Sequence, residues 1–288
     1  MTMPEARLSV KHAYRSCEQL AAAHYENFPV ASWLLPRRIR KPVAAIYVFA
    51  RRADDFADEG TDTADVRLAQ LDAMGAALDH VVAGGESDDP LFIALGDAIA
   101  RHHLPPQLFH DLLAAFRQDV DKRHYADFGE VMQYCRLSAN PVGRLLLHLT
   151  GEASERNLAY SDAICSALQL INFYQDLYSD YAERGRIYIS QDEMDRFGVD
   201  DSYFAGRVTD VRMRRLMEHQ FQRADQLLRS GAPLGRALRG RFGMEIRAII
   251  TGGARVLHKL KQQSDLFSRP RLESGDAWHI IKAALFGR

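Results

Sequence analysis

Two aspartate pairs stand at the same interval in separate parts of this 288-residue chain. In "RRADDFADEG" Asp54 and Asp58 are four residues apart, and in "QDLYSD" Asp176 and Asp180 repeat the spacing. Residues four apart share one face of a helix, so each pair projects two carboxylates together, while Asp55 is turned about 100° away. Like charges on one face repel unless something positive sits between them. Tracing the first face backwards reaches Arg51 and Tyr47, and the second carries Gln169, Asn172, Asp176 and Asp180 at offsets 0, 3, 7 and 11. Oxygen donors with no His or Cys beside them suit a hard cation, and Mg²⁺ typically takes one or two carboxylates plus substrate phosphate. A diphosphate is the natural bridging ligand. Either pair alone reads more readily as a solvated face or a local salt bridge. Their joint occurrence on aligned polar stripes, with arginines close by, favours chemistry.

The elements that must position these stripes are helices. Apolar residues recur at three- and four-residue spacing almost everywhere, and "RIYIS" at 186–190 is the only plausible strand, so the fold is expected to be nearly all α. Pro42 suits the first turn of a helix running through Phe56. Further helices are expected near 65–83, 90–103, 106–120, 128–150, 157–183, 208–230, 234–265 and 275–286, with turns at "GGESDDP", "HLPPQ" and "SGAPLG". None of these turns is long enough to link domains, so residues 1–288 read as one domain, with the two stripes facing one another across a bundle interior. Buried carboxylates without partners are expensive, which again calls for a cation.

Composition narrows the classes. A net charge of −1 with interspersed signs offers no footprint for nucleic acid. Cys17, Cys135 and Cys165 lack metal-ligand or disulfide spacing and fit buried thiols in a reducing cytoplasm. "MTMPEARLSVKH" has no apolar signal core, and no apolar run is long enough to span a bilayer. The amphipathic, slightly basic "DAWHIIKAALFGR" allows a peripheral membrane contact, although packing on the bundle is the simpler reading. No G-x-G-x-x-G occurs, so no nicotinamide cofactor is expected, and no Glu-x-x-His occurs to suggest a di-iron bundle. Asp119 and Asp121 read as a solvated helix end, as does Glu59.

Three stretches carry a family likeness. "HYENFPVASWLLPRRIRKPVAAIYVFARRADDFADEG", "YCRLSANPVG" and "LQLINFYQDLYSDYAERGRIYIS" resemble the squalene and phytoene synthases, strongly from about residue 24 to 190 and more loosely beyond. The resemblance implies the all-α class I isoprenoid synthase fold, a helical bundle around a central cavity. By position it implies metal binding through Asp54, Asp58, Asp176 and Asp180. Asn27, Phe28, Arg51, Gln169, Asn172, Arg186 and Tyr188 fall at substrate-binding positions. His24 also lies in the matched opening segment. Tyr47 and Tyr134 fall at pocket positions, where they would orient or deprotonate water. Condensing relatives generally carry "RDxxED" at the second motif, whereas this chain has Gln175 and Ser179 in place of the arginine and one acid. With "HYENFPVAS" and "RGRIY", that departure most resembles the branch that ionises presqualene diphosphate and adds water to give hydroxysqualene, with no reductant. The alternatives are a head-to-head condensing synthase making presqualene diphosphate, squalene or a phytoene-like product, and a catalytically inactive assembly factor. Neighbouring squalene-pathway enzymes would be the natural protein partners.

Overall fold

The structure, a computed structural model, describes residues 9–23 and 34–287. Every regular element among them is helical. By internal contacts the chain forms two compact units, residues 1–121 with 145–152, and residues 122–144 with 153–288.

In the first unit α1 (Val10–Ala23), α2 (Arg40–Asp58), α3 (Ala64–Val82), α4 (Pro90–His102) and α5 (Gln107–Asp121) pack together. A short 3₁₀ turn, Arg37–Ile39, leads into α2. Pro42 lies in the first turn of α2, where its missing N–H costs nothing, as its place in the sequence suggests. The helix runs two residues past Phe56 and buries Val43, Ala44, Ala45, Ile46, Val48, Phe49, Ala53 and Ala57. Phe49 meets Phe109 of α5 edge to face at 5.3 Å, a favoured aromatic geometry that fixes the rotation of α2. Asp89 caps α4 by accepting the Leu91 N–H at 2.8 Å and pairs with Arg52 of α2. The periodicity reading overlooked α1, whose buried Ala13, Tyr14, Cys17 and Ala21 are separated by Arg15, Ser16, Glu18 and Gln19, which dilute the apolar signal. Asp119 departs from the expected solvated helix end: it is buried, while Asp121 is exposed.

In the second unit α6 (Phe128–Ser138), α7 (Asn140–Thr150, in part), α8 (Glu155–Gln175), α9 (Leu177–Arg184), α10 (Gln191–Phe197), α11 (Asp201–Ala205), α12 (Val211–Gly231), α13 (Leu234–Ala237), α14 (Gly240–Gln262) and α15 (Ser274–Phe286) follow in order. The most extensive packing is between α8 and α12. Gly231 allows it, because a Cβ there would stand 2.6 Å from the Tyr160 carbonyl oxygen. Near the other end Tyr174 donates to Gln220 at 3.1 Å.

Three expected helices are broken. The stretch 128–150 divides at Ala139, next to Asn140-Pro141, since proline restricts its predecessor and lacks the N–H that would continue the ladder. The stretch 157–183 divides at Asp176, and 234–265 divides before Gly240, whose φ of 63° an L side chain rarely adopts. "RIYIS" forms no strand. The Ile187 N–H donates to Arg123 and the Gln191 N–H to Tyr125, at 2.9 and 2.8 Å, bonds too sparse for a ladder. All five of its residues are buried, so the alternation of a half-buried strand is missing as well. None of the described helices is long and apolar enough to cross a membrane.

Candidate active site

On α2, Tyr47, Arg51, Asp54 and Asp58 are partly exposed, whereas Val48, Phe49, Ala53 and Ala57 between them are buried. The polar stripe read from spacing is therefore a real face of the helix. Arg51 is held by its own helix: its guanidinium pairs with Asp55 at 2.7 Å, Glu59 at 2.6 Å and Asp54 at 3.6 Å. Burial works to lower the Arg51 pKa, and the three carboxylates outweigh it, leaving the guanidinium firmly charged. Glu59 is thus a partner of Arg51 rather than merely solvated, and Asp55 lies within reach of that face despite its rotation. One contributor escaped the sequence reading. Arg67 of α3 donates to the carbonyls of Ala57, Gly60 and Asp62, satisfying the end of α2 on which Asp58 sits.

The second motif lies at the α8–α9 break. Asp176 has φ −104° and ψ 16°; its N–H donates to the Asn172 carbonyl at 3.0 Å, and its carbonyl accepts the Asp180 N–H at 2.9 Å. The Ser179 hydroxyl donates to that same carbonyl at 3.1 Å, a local bond of the kind that bends helices. Asn172 is exposed and Gln169, Asp176 and Asp180 partly so, while Ile171, Phe173, Tyr174 and Leu177 are buried. This stripe too is an open polar face on an otherwise packed helix. The Asp176 side chain, 12% exposed, pairs with Arg269 at 2.8 Å. Burial nevertheless raises its pKa above the ordinary carboxylate value, with Arg269 pulling the other way. Gln175 donates its amide to the Pro270 carbonyl at 2.8 Å, so the segment around Arg269 is tied to the motif at two points.

Past α9 the chain reverses at Gly185, whose φ of 62° closes the helix while the Arg186 N–H reaches back to the Asp180 carbonyl at 3.0 Å. This turn places Arg186, buried at 5% exposure, and Tyr188 against the bundle of the second unit. Tyr188 stacks on Phe173 of α8, with ring centres 3.8 Å apart and planes within 4°. Tyr134 of α6 and Tyr125 join them at 5.5 and 5.6 Å from the Tyr188 ring. The structure thus brings Tyr134 and Tyr188 into one aromatic cluster, and adds Phe173 and Tyr125, which the sequence reading had not singled out. Asn27, Phe28 and His24 lie outside the described residues.

The first motif offers carboxylate oxygens and the second carboxylate and amide oxygens, donors that fit Mg²⁺ or a similar hard ion. Among the described residues no group of three or more His, Cys, Asp or Glu side chains is gathered as a metal site.

Comparison with known proteins identifies the family. The squalene/phytoene synthase family model matches residues 21–276, taking in residues of both units. The chain is 36% identical over 249 residues to a hydroxysqualene synthase of Rhodopseudomonas palustris, covering 86% of this chain and 84% of that relative. It is 35% identical over 190 residues to a phytoene synthase of Mycobacterium tuberculosis, covering 66% and 61%. A squalene synthase structure from Alicyclobacillus acidocaldarius superposes with a TM-score of 0.83 at 32% identity, covering 91% of this chain and 97% of that one. The helices have the isoprenoid synthase arrangement, and the chain belongs to the squalene/phytoene synthase family, whose members process prenyl diphosphates.

Proposed function

We propose that this chain ionises presqualene diphosphate and captures the resulting cation with water, giving hydroxysqualene and diphosphate. The observation that carries this reading is the second motif. Where condensing relatives carry an arginine and a further acid, this chain has Gln175 and Ser179, and both side chains are committed to backbone carbonyls, of Pro270 and Asp176. A site with less charge suits one diphosphate rather than two. The resemblance to hydroxysqualene synthases supports the same choice.

Asp54, Asp58, Asp176 and Asp180 are the residues that would hold divalent metal, which this family typically uses. When bound, Mg²⁺ supplies positive charge to the leaving diphosphate. Arg51, kept charged and fixed in orientation by three carboxylates, adds a pre-organised cation for the same group. Gln169, Asn172 and Arg186 offer further donors to the diphosphate. The substrate C–O bond breaks with its electron pair leaving on diphosphate, and the cyclopropylcarbinyl cation rearranges. Tyr134, Tyr188 and Phe173 present aromatic faces that stabilise positive charge while shedding bulk water. A water oxygen then bonds to the cationic carbon and its proton passes to the released diphosphate; Tyr47 and Tyr134 are assigned to orienting that water. Asn27 and Phe28 are assigned to the substrate by resemblance alone.

The test is product identification. Purified chain supplied with Mg²⁺ and presqualene diphosphate, without reductant, is expected to release hydroxysqualene and to leave farnesyl diphosphate unchanged. Turnover of farnesyl diphosphate alone would overturn the reading in favour of a head-to-head condensing synthase. That second reading is favoured by the likeness to phytoene synthases. Turnover of neither substrate would mark an inactive assembly factor, against which the four intact aspartates argue.

A further inference from the structure

The helix α15 is anchored along one side and bare along the other. Asp276, buried in its first turn, pairs with Arg255 at 2.8 Å and Lys259 at 2.9 Å on α14. In its last turn the Ala284 carbonyl accepts two bonds from Arg247, at 3.0 and 2.7 Å, and Ala284 is buried. The opposite side presents Trp278, Ile281, Leu285 and Phe286, at 67%, 51%, 52% and 74% exposure. Offsets of three, seven and eight from Trp278 place them on one face of the helix. A packed surface helix ordinarily turns such a stripe inward. Here the stripe faces out although the helix is fixed at both ends.

The charge around this face is one-sided. Arg247 also donates to the Gly235 carbonyl at 2.7 Å, which ties the α13–α14 corner to the last turn of α15. That corner carries exposed Arg236, Arg239 and Arg241, and exposed Lys282 sits within the apolar stripe itself, a long side chain whose ammonium can reach up to headgroup level. The sole acid in residues 234–250 is Glu245, which is buried, and residues 277–287 contain none. Large apolar side chains at the tip of a basic surface match the boundary between lipid headgroups and acyl chains. The four exposed side chains offer roughly 500 Å², short of the ~800 Å² per partner usual in a stable protein interface.

We infer that the exposed face of α15, together with the Arg236–Arg241 corner, docks the protein on an anionic bilayer surface. The helix lies in the interface plane, with Trp278, Ile281, Leu285 and Phe286 entering the headgroup boundary and the arginines meeting lipid phosphates. This assignment is independent of which prenyl diphosphate the enzyme consumes.

Flotation of the full chain with vesicles of phosphatidylcholine, with and without phosphatidylglycerol, tests it. The wild-type chain is expected to float with the anionic vesicles and to be released by salt. Combining Ile281→Asp with Phe286→Ala is expected to lower partitioning by at least about tenfold. Arg236→Gln with Arg239→Gln and Arg241→Gln is expected to abolish the preference for phosphatidylglycerol. Turnover of detergent-dispersed substrate should be unchanged in both sets. Should the apolar variant fail to fold, Trp278 emission in the wild-type chain decides: a blue shift on anionic vesicles that Trp278→Phe removes supports docking. No flotation, flotation equal in wild type and variants, or a concentration-dependent dimer dispersed by Ile281→Asp would each overturn the proposal.

Discussion

Asp176→Asn is expected to lower turnover by roughly 10³-fold while leaving thermal stability unchanged or slightly raised. The two halves of this expectation come from different atoms of one residue. Its backbone makes the turn between α8 and α9, donating to Asn172 and accepting from Asp180 and Ser179, and asparagine keeps all three bonds. Its carboxylate contributes charge in a place where burial disfavours charge, as the raised pKa records, so neutralising it costs the fold little. A carboxylate retained at such a site is expected to serve a ligand. Single-turnover kinetics beside a melting curve make the comparison, and turnover within about threefold of wild type would remove Asp176 from the site.

The largest expected loss of stability is elsewhere in the second unit. Glu193 of α10, 9% exposed at its side chain, accepts from Arg223 at 2.5 and 3.2 Å, from Gln220 at 2.8 Å and from Ser190 at 3.1 Å. Glu193→Ala leaves these donors without their acceptor and is expected to cost about 3 kcal/mol, or a fall of roughly 6–10 °C in Tm. Burial alone would raise the Glu193 pKa. The hydrogen bonds outweigh it and hold the group below its ordinary value of 4.5. A depressed folded pKa means the carboxylate's contribution is complete above the unfolded value and is lost as pH falls through the folded one. Denaturant melts of wild type and Glu193→Gln should therefore differ near neutral pH and converge progressively below about pH 4.5. A gap that stays constant into acid would show that the charge contributes nothing.

What could be read from the sequence was whatever is local along the chain. Pro42, the apolar run after it and the four-residue aspartate spacing are all carried within α2, and they specified its start, its buried side and its polar stripe. Tyr134 and Tyr188 came from the resemblance, and the structure places both in one aromatic cluster. The partners of the motifs were hidden for a physical reason. Arg67 reaches α2 by bonding backbone carbonyls, and Arg269 reaches Asp176 from a loop far along the chain, so neither has a periodicity to betray it. Gln175 and Ser179 drew notice as missing charges. Their bonds to the Pro270 and Asp176 carbonyls depend on tertiary and backbone geometry that residue type and spacing do not carry.

The packing of α8 on α12 also restricts which length changes the chain can accept. Contact without side chains at Gly231 and the Tyr174–Gln220 bond hold α8 at two points that bracket most of its length. Adding or deleting one residue between Ile164 and Tyr174 would put the two fixtures about 100° out of phase. Either one fixture gives way or Asp176 turns from its present direction. A loop such as 83–88 escapes this restriction, because a length change there lies between helices rather than inside one. Natural variants are expected to vary in length at such loops and to keep the interval from Gly231's contact to Asp176 invariant, a rule that a residue-insertion scan of α8 would read out directly.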